Sequence, residues 1–180
     1  SHGAKCRVVP LAPDPRRLNR PPDLAQVAEW RARFQPPIVL FVGMLRYYKG
    51  LSYLIEAMAG VEGSLVIAGE GPERRALDAQ VRQAGLGDRV HLLGEVPDEQ
   101  LPSLYAACDL FLLPSVERSE AFGLSMVEAM AAGKPVVCTE LGTGTTYVNL
   151  AGETGLVVPP RDPAALQDAI LRLLDDPALA

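Results

Sequence analysis

Six short apolar runs, each followed by a segment of a different periodicity, decide what this chain can fold into. IVLFVG at 38–43 is continuous, with no polar alternation, as expected of a strand buried on both faces. SLVIAG (64–69), Val90–Leu93, DLFLLP (109–114), PVVC (135–138) and GLVV (155–158) repeat the signal. Between them, helical spacing of apolar residues predicts helices over Leu51–Ala59, Glu73–Ala84, Asp98–Ala107 and Phe122–Ala132, with Gly85 and Gly133 as stops. A closing helix is expected over Asp162–Leu174, with Pro163 in its first turn. A short amphipathic helix over 24–34 precedes the first run and is stopped by Pro36-Pro37. Strict alternation of strand and helix with short connections means an α/β fold, a Rossmann-like parallel sheet of about six strands flanked by helices. Such sheets bind ligands outside the carboxyl ends of their strands. Chemistry is therefore expected in the strand-to-helix loops 43–50, 69–73, 94–97, 114–122 and 139–146.

At 180 residues, 48% hydrophobic and 22% charged, the chain is long and apolar enough for one domain with a real core. Residues 1–23, rich in Pro and Arg around a short strand at Cys6–Val9, read as a linker; 24–180 read as the domain. A net charge of −5 gives no global electrostatic case for nucleic acid or an anionic membrane. Cys6, Cys108 and Cys138 are expected to be reduced, with Cys108 and Cys138 in apolar runs, which together with the absence of a signal peptide suits a cytoplasmic protein. His2 and His91 stand in no metal-ligand spacing. The opening SHGAK is not a natural initiation sequence, so the chain is expected to be a piece of something longer.

The loops carry specific chemistry. In the first, Gly43 admits close backbone approach, Lys49 lies near a helix start that favours an anion, and Arg46 adds a second cation. A solvated loop with ordinary surface charges fits the same residues, and Walker spacing is absent. In the second, Gly69 and Gly71 resemble the start of a dinucleotide fingerprint, but Arg74 stands in the place of the third glycine, which rejects a dehydrogenase. The remaining glycines suit either a flat ligand group or a tight turn. In the fourth loop, Phe122-Gly123-Leu124 opens a helix with no acidic or capping residue in its first turn, leaving amides for an outside acceptor such as phosphate. Glu128 follows on a helix otherwise apolar or small apart from Ser125, which reads as a buried helix. A buried carboxylate needs a partner, and either a ligand hydroxyl pair or a structural ion pair would serve. The fifth loop, Thr139 to Thr146, is rich in Gly and Thr and suits a polar ligand or a plain turn.

Three segments in order, FVGMLRYYKG, EAFGLSMVE followed by AMAAGKPVV, and TGLVVPPRDPAAL, resemble the carboxy-terminal domain of retaining GT-B glycosyltransferases of family four, the group 1 glycosyltransferases. Glu120 and Glu128, separated by seven residues, match that family's E-x7-E motif. The resemblance covers nearly the whole chain and implies one half of a GT-B fold. It implies that this half binds a nucleotide-diphosphate sugar while an amino-terminal domain, absent here, binds the acceptor. By the same resemblance Glu120 looks like the residue contacting the donor sugar, Lys49 the diphosphate cation, the amides of Phe122, Gly123 and Leu124 diphosphate ligands, and Glu128 the ribose ligand. Gly94 and Val96 would lie near the base. Two departures are visible: Met44 stands where the family usually has Arg, with Arg46 two residues on, and Thr145-Thr146-Tyr147-Val148 stands where many members carry a Pro-Glu pair.

The implied reaction is hexose transfer with retention. No cofactor and no metal held by this domain are expected, since no D-x-D sequence occurs. Membrane attachment, peripheral at the inner face, is expected only through the absent domain. Rival readings are a nucleotide-sugar epimerase of the same fold and a non-catalytic sugar-nucleotide-binding module.

Overall fold

The structure is a computed structural model, and it describes residues 13–176. The expected strand at Cys6–Val9, and with it Cys6 and His2, lies outside the described residues.

Six strands form one fully parallel sheet: β1 (Ile38–Val42), β2 (Ser64–Ala68), β3 (Val90–Gly94), β4 (Leu110–Leu113), β5 (Val136–Thr139) and β6 (Leu156–Val158). Their spatial order is β3-β2-β1-β4-β5-β6. The apolar runs form central strands for the reason their composition suggests: Ile38–Phe41, Leu65–Ile67 and Leu110–Leu113 are all buried, with helices over both faces. The chain leaves β1 toward β2 on one side and enters β4 on the other. The carboxyl ends of β1 and β4 therefore form the switch point of a doubly wound sheet, the place where such sheets have their ligand crevice.

Among the described residues the helices are α1 (Pro15–Leu18), α2 (Leu24–Arg33), α3 (Leu51–Ala57), α4 (Arg74–Gln83), α5 (Leu101–Ala107), α6 (Leu124–Ala131), α7 (Thr145–Val148) and α8 (Pro163–Asp175). Capping residues set several starts. Asp23 accepts from the Ala25 amide ahead of α2, and Asp162 accepts from the Ala165 amide ahead of α8. Helix α2 packs on α5 and α3 on α8.

The larger differences from expectation in the element pattern are these. The helix expected from Asp98 begins at Leu101, because Asp98–Gln100 form a turn in which the Gln100 amide bonds the Pro97 carbonyl. The helix expected from Phe122 begins at Leu124, because Gly123 adopts a left-handed conformation at φ 80° and serves as its N-cap. Two short helices were not expected: α1, inside the segment read as linker, and α7, inside the fifth loop.

Candidate functional site

The first and fourth loops meet across the β1/β4 crevice. The Val116 amide donates to the Tyr48 carbonyl at 2.7 Å. Gly50 turns back at φ 67°, and a Cβ there would lie 2.0 Å from the Pro114 carbonyl oxygen, so glycine is what lets the two loops touch. This contact brings Lys49 and Glu120 together from 71 residues apart. Lys49 Nζ donates to Glu120 Oε2 at 2.5 Å, with the two side chains 13% and 9% exposed. Ser115 Oγ donates to the same carboxylate oxygen at 3.1 Å. Ser115 is itself pinned, since the Thr139 hydroxyl at the end of β5 donates to its carbonyl.

Arg46 is not drawn into that pair. Its side chain is exposed, and its Nε approaches the Met44 sulfur at 3.0 Å. The backbone at Arg46 is extended (φ −109°, ψ 151°), and it places the two side chains on the same side of the loop. A Cβ on Gly43 would lie 3.9 Å from Lys49 Nζ. The second loop packs directly on the first. A Cβ on Gly69 would sit 2.0 Å from the Gly43 carbonyl oxygen and one on Gly71 2.4 Å from that of Leu45. These two glycines serve backbone contact between neighbouring loops. Arg74, the residue that breaks the dinucleotide fingerprint, bonds Glu70 at 2.7 Å and the Leu92 carbonyl at 2.9 Å. Its guanidinium thereby ties the second loop to the end of β3 beside Gly94. Val96, just beyond, packs partly buried against the core.

Helix α6 starts as its sequence suggests, with no side-chain cap and no acidic residue in the first turn. Phe122 precedes it in the loop, Gly123 is buried and Leu124 is 42% exposed. The fifth loop supports this start from the side: the Gly144 amide donates to the Ala121 carbonyl at 2.8 Å, ahead of α7.

The expectation of a buried α6 is corrected. Met126 and Ala129 face the core, but Glu128 is only half-buried. The helix packs on β4 and β5, and its remaining apolar residues, such as Leu124 and Val127, are exposed or half-buried. Glu128 accepts a hydrogen bond from the Tyr105 hydroxyl of α5 at 2.9 Å. It lines a cavity of about 360 Å³ between α5 and α6, roofed by Leu18–Pro22. Of the expected site residues, all of them described, Glu128 alone lines that cavity. The site thus has two parts among the described residues: the Lys49–Glu120 crevice with the α6 amino end, and the α5/α6 cavity at Glu128.

Two polar contributors escape sequence reasoning. Ser115 sits directly after a strand-ending proline, yet nothing local says it reaches Glu120. Tyr105 lies on the buried face of α5, and a buried phenol needs a partner, but Glu128 is 23 residues away. The thiols behave as composition suggests: Cys108 and Cys138 are buried and unpaired. Burial pushes them up to about 12 and about 11 respectively. No helix among the described residues is long and apolar enough to cross a membrane.

Comparison with known proteins shows the family and the fold. The profile of the family described as "Glycosyl transferases group 1" matches residues 25–180. D-rhamnosyltransferase WbpZ of Pseudomonas aeruginosa is 45% identical over 159 residues, covering 88% of this chain and 42% of that protein. O-antigen chain mannosyltransferase C of Escherichia coli is 37% identical over 151 residues, covering 84% and 40%. The chain thus spans less than half the length of these relatives. Sucrose-phosphate synthase of Thermosynechococcus elongatus superimposes with a TM-score of 0.83 at 34% identity, over 97% of this chain and 44% of that one. HepE of Anabaena, solved with UDP and glucose, superimposes with a TM-score of 0.75 at 26% identity, over 93% and 45%. The isolated carboxy-terminal domain of a group 1 glycosyl transferase, LpcC of Francisella tularensis, gives 0.74 at 26% identity, over 91% of this chain and 89% of that one. A profile match over residues 25–180, on a doubly wound parallel sheet, makes this chain a member of the group 1 glycosyl transferase family.

Proposed function

We propose that this domain binds a nucleotide-diphosphate sugar at the carboxyl edge of its sheet, and that the whole protein transfers the hexose to an acceptor hydroxyl with retention of anomeric configuration. The observation that carries the proposal is the convergence of Lys49 and Glu120 at the β1/β4 crevice, beside the uncapped amino end of α6. A cation and free amides suit a diphosphate, and a carboxylate suits sugar hydroxyls. That HepE is solved with UDP and with UDP-glucose supports the ligand class.

In this reading the amides of Phe122, Gly123 and Leu124 receive the diphosphate at the positive end of α6. Lys49 supplies charge from across the crevice. As the glycosidic bond to the leaving phosphate lengthens, negative charge grows on the diphosphate and positive charge on the sugar ring. Donors already held in place stabilise that charge without having to reorganise. Glu120 orients the sugar. Glu128, with one oxygen bonded by Tyr105, receives the ribose hydroxyls at the mouth of the α5/α6 cavity, whose volume of about 360 Å³ falls in the range of small-molecule sites. Gly94 and Val96 border the base. Arg46 approaches the diphosphate from the same side as Met44.

The relatives are more than twice as long as this chain, and the remainder supplies the acceptor side. Transfer needs two substrates held in line, and an open crevice leaves the diphosphate in water, where a fixed cation is worth less. These 180 residues alone therefore bind donor without acceptor-dependent turnover. A binding-only module is favoured by one observation, the exposed Met44 in place of a cation. The test is acceptor-dependent release of nucleoside diphosphate by the full-length protein, with and without chelator, and the anomeric configuration of the product by NMR. Retained configuration and chelator-insensitive turnover are expected. An inverted product, or turnover that chelation abolishes and magnesium or manganese restores, overturns the mechanism. Binding without turnover favours the module.

A further inference from the structure

We propose that Ser115 is a positioning residue whose buried hydroxyl fixes the rotamer of Glu120, holding one carboxylate oxygen so that the other is presented to the donor sugar. The inference rests on the reading that Glu120 contacts that sugar.

Ser115 is fully buried at the carboxyl end of β4. A buried hydroxyl needs a partner, and this one donates to Glu120 Oε2 at 3.1 Å. Lys49 Nζ donates to the same oxygen at 2.5 Å. Among the described residues no donor reaches Oε1. The carboxylate is therefore asymmetric: Oε2 takes both protein donors, and Oε1 keeps its lone pairs. A sugar hydroxyl is a hydrogen-bond donor, which Oε1 is free to accept.

Lys49 alone does not fix this arrangement. Its ammonium sits on a flexible four-carbon stem and follows whichever anion attracts it more. A diphosphate arriving in the crevice competes with Glu120 for it. As Lys49 turns to the diphosphate, Ser115 remains to hold Oε2. Ser115 has no such freedom. Thr139 bonds its carbonyl, the next amide is bonded to Tyr48, and the preceding carbonyl is packed against Gly50. β4, β5 and the first loop all locate this one hydroxyl.

The experiment uses the full-length protein and calorimetric titration with UDP-glucose and GDP-mannose, each against UDP or GDP alone. The readout is the sugar increment, the ratio of the dissociation constant of the nucleoside diphosphate to that of its sugar form, for whichever pair binds more tightly. Ser115→Ala is expected to leave the nucleoside diphosphate within twofold and to lower the increment roughly tenfold, the scale of one hydrogen bond to a charged group. Ser115→Cys keeps the volume but offers only a weak donor, and is expected to act in the same direction should the alanine variant fail to fold. In a Glu120→Ala background, Ser115→Ala is expected to cost nothing more. An unchanged increment in the Ser115 variants, while Glu120→Ala loses it, overturns the role of Ser115 and leaves the site reading intact. Equal loss of nucleoside diphosphate and sugar form makes Ser115 a structural residue and also overturns the proposal. An increment absent from the unmodified protein, or unaffected by Glu120→Ala, overturns both.

Discussion

Gly50 and Gly85 make a matched pair for testing how the crevice is held together. Both adopt the left-handed conformation, at φ 67° and 68°, and alanine at either carries the same backbone penalty. They differ in what the added methyl meets. At Gly85 nothing lies within 4 Å, whereas at Gly50 the Pro114 carbonyl oxygen lies at 2.0 Å and Val116 Cγ1 at 2.9 Å. The left-handed penalty for a residue with a Cβ is about 1–2 kcal/mol, and alanine recovers about 0.4–1 kcal/mol through the unfolded chain. Gly85→Ala should therefore cost about 1 kcal/mol. At Gly50, restoring a tolerable carbon–oxygen separation of about 3.3 Å requires the loops to part by about 1.3 Å. Overpacking of that kind adds about 1–3 kcal/mol, for a total near 3 kcal/mol. The parting also moves Lys49 from Glu120, and misplacement by about 1 Å can cost about a hundredfold in turnover. Urea unfolding of both variants, together with donor turnover by the full-length protein, measures both effects. Equal stabilities for the two variants, or normal turnover in Gly50→Ala, would refute the idea that contact between the first and fourth loops sets the site.

Four further outcomes follow from the same geometry. Arg46→Ala should weaken a nucleoside diphosphate more than the nucleoside, since what is removed is charge; equal affinities in titration would show that Arg46 does not stand in for the missing arginine at Met44. Glu128→Gln should weaken nucleotide binding by about 1–3 kcal/mol, whereas unchanged affinity with a lowered melting temperature would mark Glu128 as structural. Cys108 and Cys138, with thiols raised to about 12 and about 11, should resist alkylation at pH 8 in the native protein and react after denaturation, as read by mass mapping. His91 is lowered below 6.5, chiefly by burial and next by Arg33. Its folded form binds fewer protons than the unfolded chain, so the stability it contributes is full above pH 6.5 and is lost as pH falls through the lowered value. His91→Gln should flatten the pH dependence of unfolding in that window, and an unchanged slope would contradict this.

The sheet was legible because short continuous apolar runs, alternating with segments of helical spacing, suit the strands of a parallel sheet, and β1, β2 and β4 are buried along their whole length or nearly so. Helix α7 was not, because Thr145-Thr146-Tyr147-Val148 is β-branched and aromatic, with poor intrinsic helix propensity. It is held instead by the following Asn149, fully buried, whose side chain bonds Cys138 and the Leu156 carbonyl. Local pattern says nothing of contacts between β5 and β6. The start of α6 shows the same limit at a finer scale: an uncapped helix was readable, but not that Gly123 rather than Phe122 would be its boundary. In the site, Lys49, Glu120 and Glu128 were singled out by loop position and motif. Their partners Ser115 and Tyr105 were not, since a hydroxyl takes its meaning from what folding places opposite it. The cavity at Glu128 was likewise invisible. Its roof, Leu18–Pro22, is brought over α5 and α6 by contacts such as the Asp23 amide donating to the Ser103 hydroxyl, 80 residues apart in sequence.

The central claim is that the Lys49–Glu120 crevice receives the diphosphate of a nucleotide sugar, and calorimetric titration of the full-length protein and its Lys49→Ala variant tests it most directly. A panel of nucleoside diphosphates, their sugars and the matching nucleosides should show diphosphate-dependent binding to the unmodified protein. Lys49→Ala should weaken the diphosphates by about tenfold or more while leaving the nucleosides unchanged. No binding of any nucleotide sugar, or diphosphate affinity indifferent to Lys49, would contradict the account.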